Sequence, residues 1–145
     1  MEAQHFRVTL SRSEGYAFAA EFDGDGWPEI TVDESPPLGR GVGPNPTRML
    51  AVAVGGCLAS SLLFCLGKAR VDVQGFEAAV EGTVARNEEG RLRIMELRVT
   101  LAPSVRDAER ERMQRCLSLF EDFCTVTASV RKGIPIHVHV APTSD

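Results

Sequence analysis

The longest apolar run of the chain extends from Pro46 to Leu66 and carries a single charged residue, Arg48. Asn45 is a favoured N-cap residue, and proline suits the first helical position because its missing N–H would be unpaired there anyway. We therefore predict a central helix over residues 43–68. Its apolar residues lie on every side, so it must be covered on every side. The glycines and serines in its middle argue against a membrane span, although its length fits one.

Alternating apolar and polar residues predict strands on both sides of this helix. Residues 1–42 are predicted to form a three-stranded β-meander and a loop rich in glycine and proline. Residues 71–145 are predicted to form a β-hairpin, a pair of helices and a last strand. The second of these helices is expected over Thr125–Lys132, and the last strand over Ile134–Val140. This order of elements predicts a single domain of the α+β class, residues 1–145.

The apolar helix also predicts an assembly. A single sheet cannot cover a helix that is apolar on every side. We therefore expect a homodimer in which the two long central helices pack together, with antiparallel sheets wrapped around them.

Composition and charge exclude several classes of protein. With 145 residues, 43% of them hydrophobic and 25% charged, the chain is large enough for one domain with a substantial core. Its net charge of −4 argues against nucleic acid as a partner. Met1–Leu10 lacks the apolar stretch of a signal peptide. We therefore expect a cytoplasmic location without membrane attachment, where thiols are kept reduced.

The chain has 4 cysteines, and their spacing matches neither a zinc site nor a CxxC motif. Buried free thiols and redox-active cysteines are the two interpretations that remain. Cys65 and Cys116 fit core positions of their helices, and we interpret both as structural. His137 and His139 share one face of the last strand, but no third ligand accompanies them. We therefore predict neither a metal site nor an organic cofactor.

Cys57 and Cys124 are the candidates for redox chemistry. Cys57 lies midway along the apolar helix, where it is either a small buried hydrophobic residue or a reactive thiol. Cys124 precedes the helix Thr125–Lys132, where unpaired N–H groups and the helix dipole stabilise a thiolate. Two such cysteines suggest a dithiol pair, in which one sulfur attacks an electrophile and the second closes a disulfide. Whether the two sulfurs meet depends on the fold.

The segment from Gly43-Pro44-Asn45-Pro46 to Gly55-Gly56-Cys57, followed by Cys124-Thr125-Val126-Thr127 and a closing strand, resembles the OsmC/Ohr family. This is the family of osmotically inducible protein C and the organic hydroperoxide resistance proteins, and the chain resembles a divergent branch of it. The resemblance implies an intertwined α+β homodimer with active sites at the dimer interface. It also implies that Cys57 is the peroxidatic and Cys124 the resolving cysteine, acting on organic hydroperoxides with a thiol or dithiol reductant and no cofactor.

The chain departs from the family pattern at Thr47, where well-characterised hydroperoxide reductases carry a glutamate that pairs with an arginine. Arg40, in the loop before the helix, is the candidate for stabilising a Cys57 thiolate. Arg48 is nine residues before Cys57, about 13 Å along a helix and half a turn out of phase, so it cannot touch the cysteine of its own chain.

Two alternatives to a peroxidase remain at this point. The first is a non-catalytic protein that binds a small apolar ligand on the same fold, which the missing glutamate favours. The second is a thiol redox sensor, in which the same disulfide forms once and signals to a partner without turnover.

Overall fold

The computed structural model describes residues 2–144. The α+β class is confirmed, because these residues form five strands in two antiparallel sheets and three α-helices. The strands and helices, in chain order, are β1 Val8–Glu14, β2 Ala17–Phe22, β3 Ile30–Val32, α1 Pro46–Lys68, β4 Gly75–Arg86, β5 Leu92–Ser104, α2 Arg110–Leu117 and α3 Thr125–Lys132. A 3-10 helix, Phe120–Phe123, lies between α2 and α3.

The chain divides into two compact units. The first contains the residues up to Val52 together with Gly82–Leu97, and the second contains Ala53–Glu81 and the residues from Arg98 onward. Helix α1 and the hairpin β4–β5 each contribute residues to both units.

The first unit contains the predicted meander, a three-stranded antiparallel sheet in the order β1-β2-β3. Val8 pairs with Phe22 across the first two strands, and Phe18 pairs with Val32 across the next two. The apolar residues of this sheet alternate with polar ones because successive side chains of a strand point to opposite faces.

A buried carboxylate holds the loop that leads from β3 to α1. Asp33 is 2% exposed and accepts hydrogen bonds from the backbone N–H groups of Glu34, at 2.7 Å, Val42, at 3.1 Å, and Arg40, at 3.2 Å. The hydrogen bond from the N–H of Val42 lowers the pKa of Asp33 from its ordinary value of 3.8. Burial opposes this shift, and the N–H groups of Glu34 and Arg40 reinforce it. The carboxylate therefore fixes the path of the whole loop.

Helix α1 begins at Pro46, as the sequence predicts. Asn45 caps it, because its Oδ1 accepts the N–H of Arg48 at 3.0 Å. In the second unit, one apolar residue of α1 is buried at each turn, which gives a stripe at the spacing expected for a packed helix face. The residues of this stripe are Val54, Leu58, Leu62 and Leu66.

Among the described residues, other side chains of α1 are exposed. Val52 is 66% exposed and Phe64 is 61% exposed. By length and composition α1 could cross a membrane, but the core helix of a soluble protein passes the same test.

The predicted strand Ile134–Val140 is not formed. Among the described residues this segment pairs with no strand and contains neither helix nor sheet. Ile136, Val138 and Val140 are 82%, 83% and 79% exposed. The alternation of apolar and polar residues indicates that this segment can form a strand, but a strand also requires a neighbouring strand to share its backbone hydrogen bonds.

Cys65 and Cys116 form a disulfide, which agrees with their interpretation as structural residues but corrects the expectation that both thiols are reduced. Helix α1 and helix α2 bring their Cα atoms to 5.7 Å, within the range that a disulfide needs. Spacing along one helix indicates which residues share a face, but it does not indicate which two helices pack together. The expectation of reduced thiols also argued against this bond.

Candidate active site

Cys57 and Cys124 meet in the second unit. Both are free cysteines, and their side chains are hydrogen-bonded to each other. Cys57 lies in the middle of α1 and is partly exposed, whereas Cys124 is 0% exposed. Cys124 is the N-cap residue of α3, with extended backbone angles of φ −85° and ψ 97°. The fold thus joins two thiols that are far apart in the sequence.

Two glycines precede Cys57 on α1, and they differ in their surroundings. A Cβ atom at Gly55 would lie 2.6 Å from Cγ2 of Val80, so the absence of a side chain there lets β4 approach α1 closely. A Cβ atom at Gly56 would meet no atom within 4 Å. Close packing therefore offsets the helical cost of Gly55 but not that of Gly56.

Cys124 is surrounded by hydrogen-bonding groups. Its Sγ lies 3.0 Å from Oγ1 of Thr127, one turn into α3. The side chain of Ser61, one turn beyond Cys57 on α1, also hydrogen-bonds to this sulfur. The fully buried sulfur therefore has partners from both helices.

The two thiols differ in acidity. Burial raises the pKa of Cys57, and its hydrogen bond to Cys124 raises that pKa further. Burial also opposes ionisation of Cys124, but the hydrogen bonds of this sulfur to Cys57, Thr127 and Ser61 together lower its pKa below that of an ordinary thiol. Ionisation of the reduced pair is therefore favoured at Cys124 over Cys57.

This arrangement supports dithiol chemistry. A partly exposed thiol in contact with a buried thiol of lowered pKa can be oxidised by a small electrophile and then closed to a disulfide. Among the described residues no group of three or more histidine, cysteine or acidic side chains could hold a metal ion.

The first unit contains the other residues that the sequence singles out. The guanidinium of Arg40 pairs with Glu14 at 3.2 Å, and both side chains are largely exposed. Thr47 is partly buried in the first turn of α1, and Arg48 is exposed. None of these side chains belongs to the unit that holds the two sulfurs.

Ser61 and Thr127 are the site residues that we did not predict from the sequence. A signal for each was present in the spacing. Ser61 follows Cys57 by four residues, so the two share a face of α1. Thr127 follows the N-cap Cys124 by three residues, where helix-capping side chains reach back.

Comparison with known proteins gives one family. The sequence model described as OsmC-like protein matches residues 39–139. A search of curated proteins found no match.

Several solved structures have a similar fold. A hypothetical protein from Aquifex aeolicus VF5 is 22% identical, with a TM-score of 0.70 over 90% of this chain and 89% of that chain. An OsmC-like protein from Mycoplasma pneumoniae is 14% identical, with a TM-score of 0.74 over 90% and 89% of the two chains. The organic hydroperoxide resistance protein OhrB of Bacillus subtilis is 20% identical, with a TM-score of 0.57 over 86% and 90%. At these identities the likeness shows the fold.

Proposed function

The chain belongs to the OsmC-like protein family, and on that premise we propose that it is a thiol-dependent peroxidase that reduces organic hydroperoxides. The observation that carries this proposal is the contact between the partly exposed Cys57 and the buried Cys124, whose pKa is lowered. In the proposed reaction a small oxidant reaches the first sulfur, and the second closes the disulfide.

The proposed cycle has three steps. Cys57 attacks the terminal oxygen of ROOH, the O–O bond breaks, and the products are a Cys57 sulfenic acid and the alcohol ROH. Cys124 then attacks the Cys57 sulfur, which forms the disulfide and releases water. A thiol or dithiol reductant finally exchanges with this disulfide, is itself oxidised, and restores both thiols.

We also propose a homodimer as the working form. The described residues leave large apolar side chains of α1 and of the C-terminal segment exposed, including Phe64 and Val138. Such surface is expected to be covered by another protein chain. The active sites would then lie at the dimer interface, and Arg40 would stabilise the Cys57 thiolate that forms when this thiol loses its proton during the attack on the peroxide. The cytoplasmic location remains a prediction from the sequence.

The first test is a count of free thiols by intact mass, before and after one equivalent of cumene hydroperoxide. Two alkylatable thiols are expected before oxidation, because Cys65 and Cys116 are paired. Both should be lost afterwards, and peptide mapping should show a bond between Cys57 and Cys124.

Cys57→Ser should abolish peroxide consumption with dihydrolipoamide, whereas His139→Ser, on the exposed C-terminal segment, should leave it unchanged. Two thiols that survive the peroxide would refute the proposal, and oxidation without turnover would support the sensor.

An apolar groove in the first unit favours a second candidate function, the binding of a small apolar ligand. The groove has a volume of about 250 Å³ and lies between the three-stranded sheet and the start of α1. Mass spectrometry of an organic extract from the denatured pure protein tests this function. A recurrent apolar compound in stoichiometric amount would support it, and an empty extract would count against it. Residues that line the groove include Leu10, Phe22, Ile30 and Met49.

A further inference from the structure

The two cysteine pairs of the second unit lie at the two ends of one contact between α1 and the segment 116–124. Cys57 and Cys65 are eight residues apart on α1, which is about two helical turns. Cys116 and Cys124 are also eight residues apart. The side chain of Cys57 is hydrogen-bonded to that of Cys124, and Cys65 is bonded to Cys116. The segment 116–124 therefore runs antiparallel to α1, with one cysteine pair at each end.

Backbone hydrogen bonds connect the two cysteines of this segment. The N–H of Leu119 donates to the carbonyl of Cys116 at 3.1 Å, and the N–H of Asp122 donates to the carbonyl of Leu119 at 3.2 Å. The N–H of Cys124 donates to the carbonyl of Glu121 at 3.1 Å. Each turn of the segment is thus tied to the next, so the position of Cys116 constrains that of Cys124.

The segment 116–124 buries one side only. Cys116, Phe120 and Cys124 are spaced four residues apart and are 2%, 8% and 0% exposed. Leu119 and Phe123, between them, are 54% and 67% exposed. The two cysteines therefore mark the ends of the buried side, and one phenylalanine lies midway between them.

Helix α2 depends on the disulfide for its attachment. Cys116 is the buried residue of this eight-residue helix. Two hydrogen bonds link its neighbourhood to the chain just after α1: the N–H of Asp72 donates to the carboxylate of Glu109 at 3.0 Å, and the guanidinium of Arg112 donates to the carbonyl of Arg70 at 3.3 Å. Both are exposed, where water competes for the same groups. The covalent bond is therefore the main constraint on where the segment begins.

We propose that the Cys65–Cys116 disulfide is a positioning crosslink, which holds the segment 116–124 in register with α1 so that Cys124 stays against Cys57 and closes the second disulfide rapidly. This proposal rests on the proposed peroxidase function and assigns a device to its second step. In the expected cytoplasmic location, disulfides are usually redox-active rather than permanent. A reductant that opens this crosslink would leave Cys57 open to oxidation but slow to be resolved.

The step that the crosslink assists is balanced. The sulfur of Cys124 attacks the sulfenic sulfur of Cys57, the S–S bond forms, the S–O bond breaks, and the thiol proton leaves with the hydroxyl group as water. The thiol sulfur is oxidised and the sulfenic sulfur is reduced. Opening of Cys65–Cys116 requires a dithiol reductant, which becomes a disulfide while both cysteines become thiols.

The first experiment measures each disulfide at equilibrium in glutathione redox buffers, without peroxide, by alkylation and peptide mapping of the folded full chain. The effective concentration of the Cys57 and Cys124 thiols should be about tenfold lower in Cys65→Ser/Cys116→Ser than in wild type with the crosslink closed. Coupling is reciprocal, so Cys57→Ser/Cys124→Ser should weaken the Cys65–Cys116 bond by the same factor relative to wild type with its other pair closed.

A second variant keeps the test valid if Cys65→Ser/Cys116→Ser does not fold. Leu119→Gly leaves the crosslink intact but loosens the segment through which it acts, and it removes no buried side chain. It should lower the effective concentration of the Cys57 and Cys124 thiols about threefold. Leu38→Gly is the matched control, because Leu38 is an exposed leucine of similar accessibility, 57%, in the other unit. It should behave like the wild type.

Single-turnover oxidation by cumene hydroperoxide separates positioning from general stability. The Cys57 sulfenic acid should form at the same rate with and without the crosslink. Its closure to the disulfide should be about tenfold slower in Cys65→Ser/Cys116→Ser, so that dimedone traps more of it.

The outcomes distinguish this proposal from the peroxidase function. If the effective concentrations shift as expected but no protein consumes peroxide, the role of the crosslink stands and the peroxidase function is wrong. If peroxide is consumed and closure is equally fast without the crosslink, the function stands and the positioning role is wrong. Equal effective concentrations in Leu119→Gly and Leu38→Gly would also overturn the proposal.

Discussion

Cys124 and Asp33 are buried ionisable groups, and hydrogen bonds lower the pKa of both. Burial disfavours the charged form of each group, but the hydrogen bonds around it more than compensate. The partners of Asp33 are backbone N–H groups of its own loop, whereas those of Cys124 are mainly side chains from two helices. The first arrangement stabilises a loop, and the second makes a buried thiol more acidic.

Asp33→Asn should destabilise the protein, and the loss should depend on pH. The pKa of Asp33 is lowered in the folded state, so its contribution to the free energy of unfolding is fully present above the ordinary value of 3.8 and disappears as pH falls through the lower, folded value. Thermal melts should therefore separate Asp33→Asn from the wild type by several degrees at neutral pH, and the two curves should converge in acid.

The control for this prediction is Asp25→Asn, in the exposed turn before β3. It should melt like the wild type at every pH. A constant difference between Asp33→Asn and the wild type down to acid pH would show that the carboxylate charge is not what holds the loop.

At the scale of elements, the sequence predicts most of the helices and strands because their signals are local. Asn45 and Pro46 mark the start of α1, and Gly133 the end of α3, by chemistry that lies within a few residues of each terminus. The prediction of a strand over Ile134–Val140 is wrong for the opposite reason, because a strand there needs a partner edge far away in the chain or in another chain. The pairing of Cys65 with Cys116 likewise depends on tertiary structure, because it requires α1 and α2 to lie side by side.

Asn45→Ala should lower the free energy of unfolding by about 1 kcal/mol, because the N–H of Arg48 loses its acceptor. For a chain of this size, that corresponds to a melting temperature lower by roughly 3 °C. Asn45→Asp keeps an acceptor oxygen and should melt like the wild type. Equal melting of the alanine and aspartate variants would refute the capping role.

The Cys65–Cys116 disulfide should stabilise the fold. It closes a loop with a sequence separation of 51 residues, and the chain-entropy relation gives about 4 kcal/mol for such a loop, or roughly 10 °C in melting temperature. The measurement belongs in a Cys57→Ser/Cys124→Ser background, so that a reductant acts on this bond alone. Reductant should lower the melting temperature of that protein to the value of a variant that also carries Cys65→Ser and Cys116→Ser. The latter variant should not respond to reductant.

At the scale of the whole molecule, one chain leaves much apolar surface uncovered. The C-terminal segment is the clearest case, with Ile136 and Val138 more than four-fifths exposed. The sequence indicates a homodimer through the apolar helix, and the exposed side chains of the structure favour the same conclusion.

The contact between Cys57 and Cys124 also belongs to this scale, because no local pattern links a residue of α1 with the N-cap of α3.

Val138→Lys should shift the protein from dimer to monomer, because it places a charge among the exposed apolar residues of the C-terminal segment. His139→Lys adds the same charge at a position that is already polar and should remain dimeric. Sedimentation velocity measures both. Equal association of the two variants, or a wild type that sediments as a monomer, would contradict the proposed homodimer.

Helix α1 carries one sulfur of each cysteine pair, and its geometry determines whether these two sulfurs can form a disulfide with each other. Cys57 and Cys65 are eight residues apart, so their Cα atoms are separated by about 12 Å, whereas a disulfide requires less than about 7 Å. A folded α1 therefore prevents Cys57 and Cys65 from bonding to each other, so an oxidised Cys57 cannot be trapped by its neighbour on the helix. A Cys57–Cys65 crosslink found after peroxide treatment would then be a chemical record that α1 had unwound.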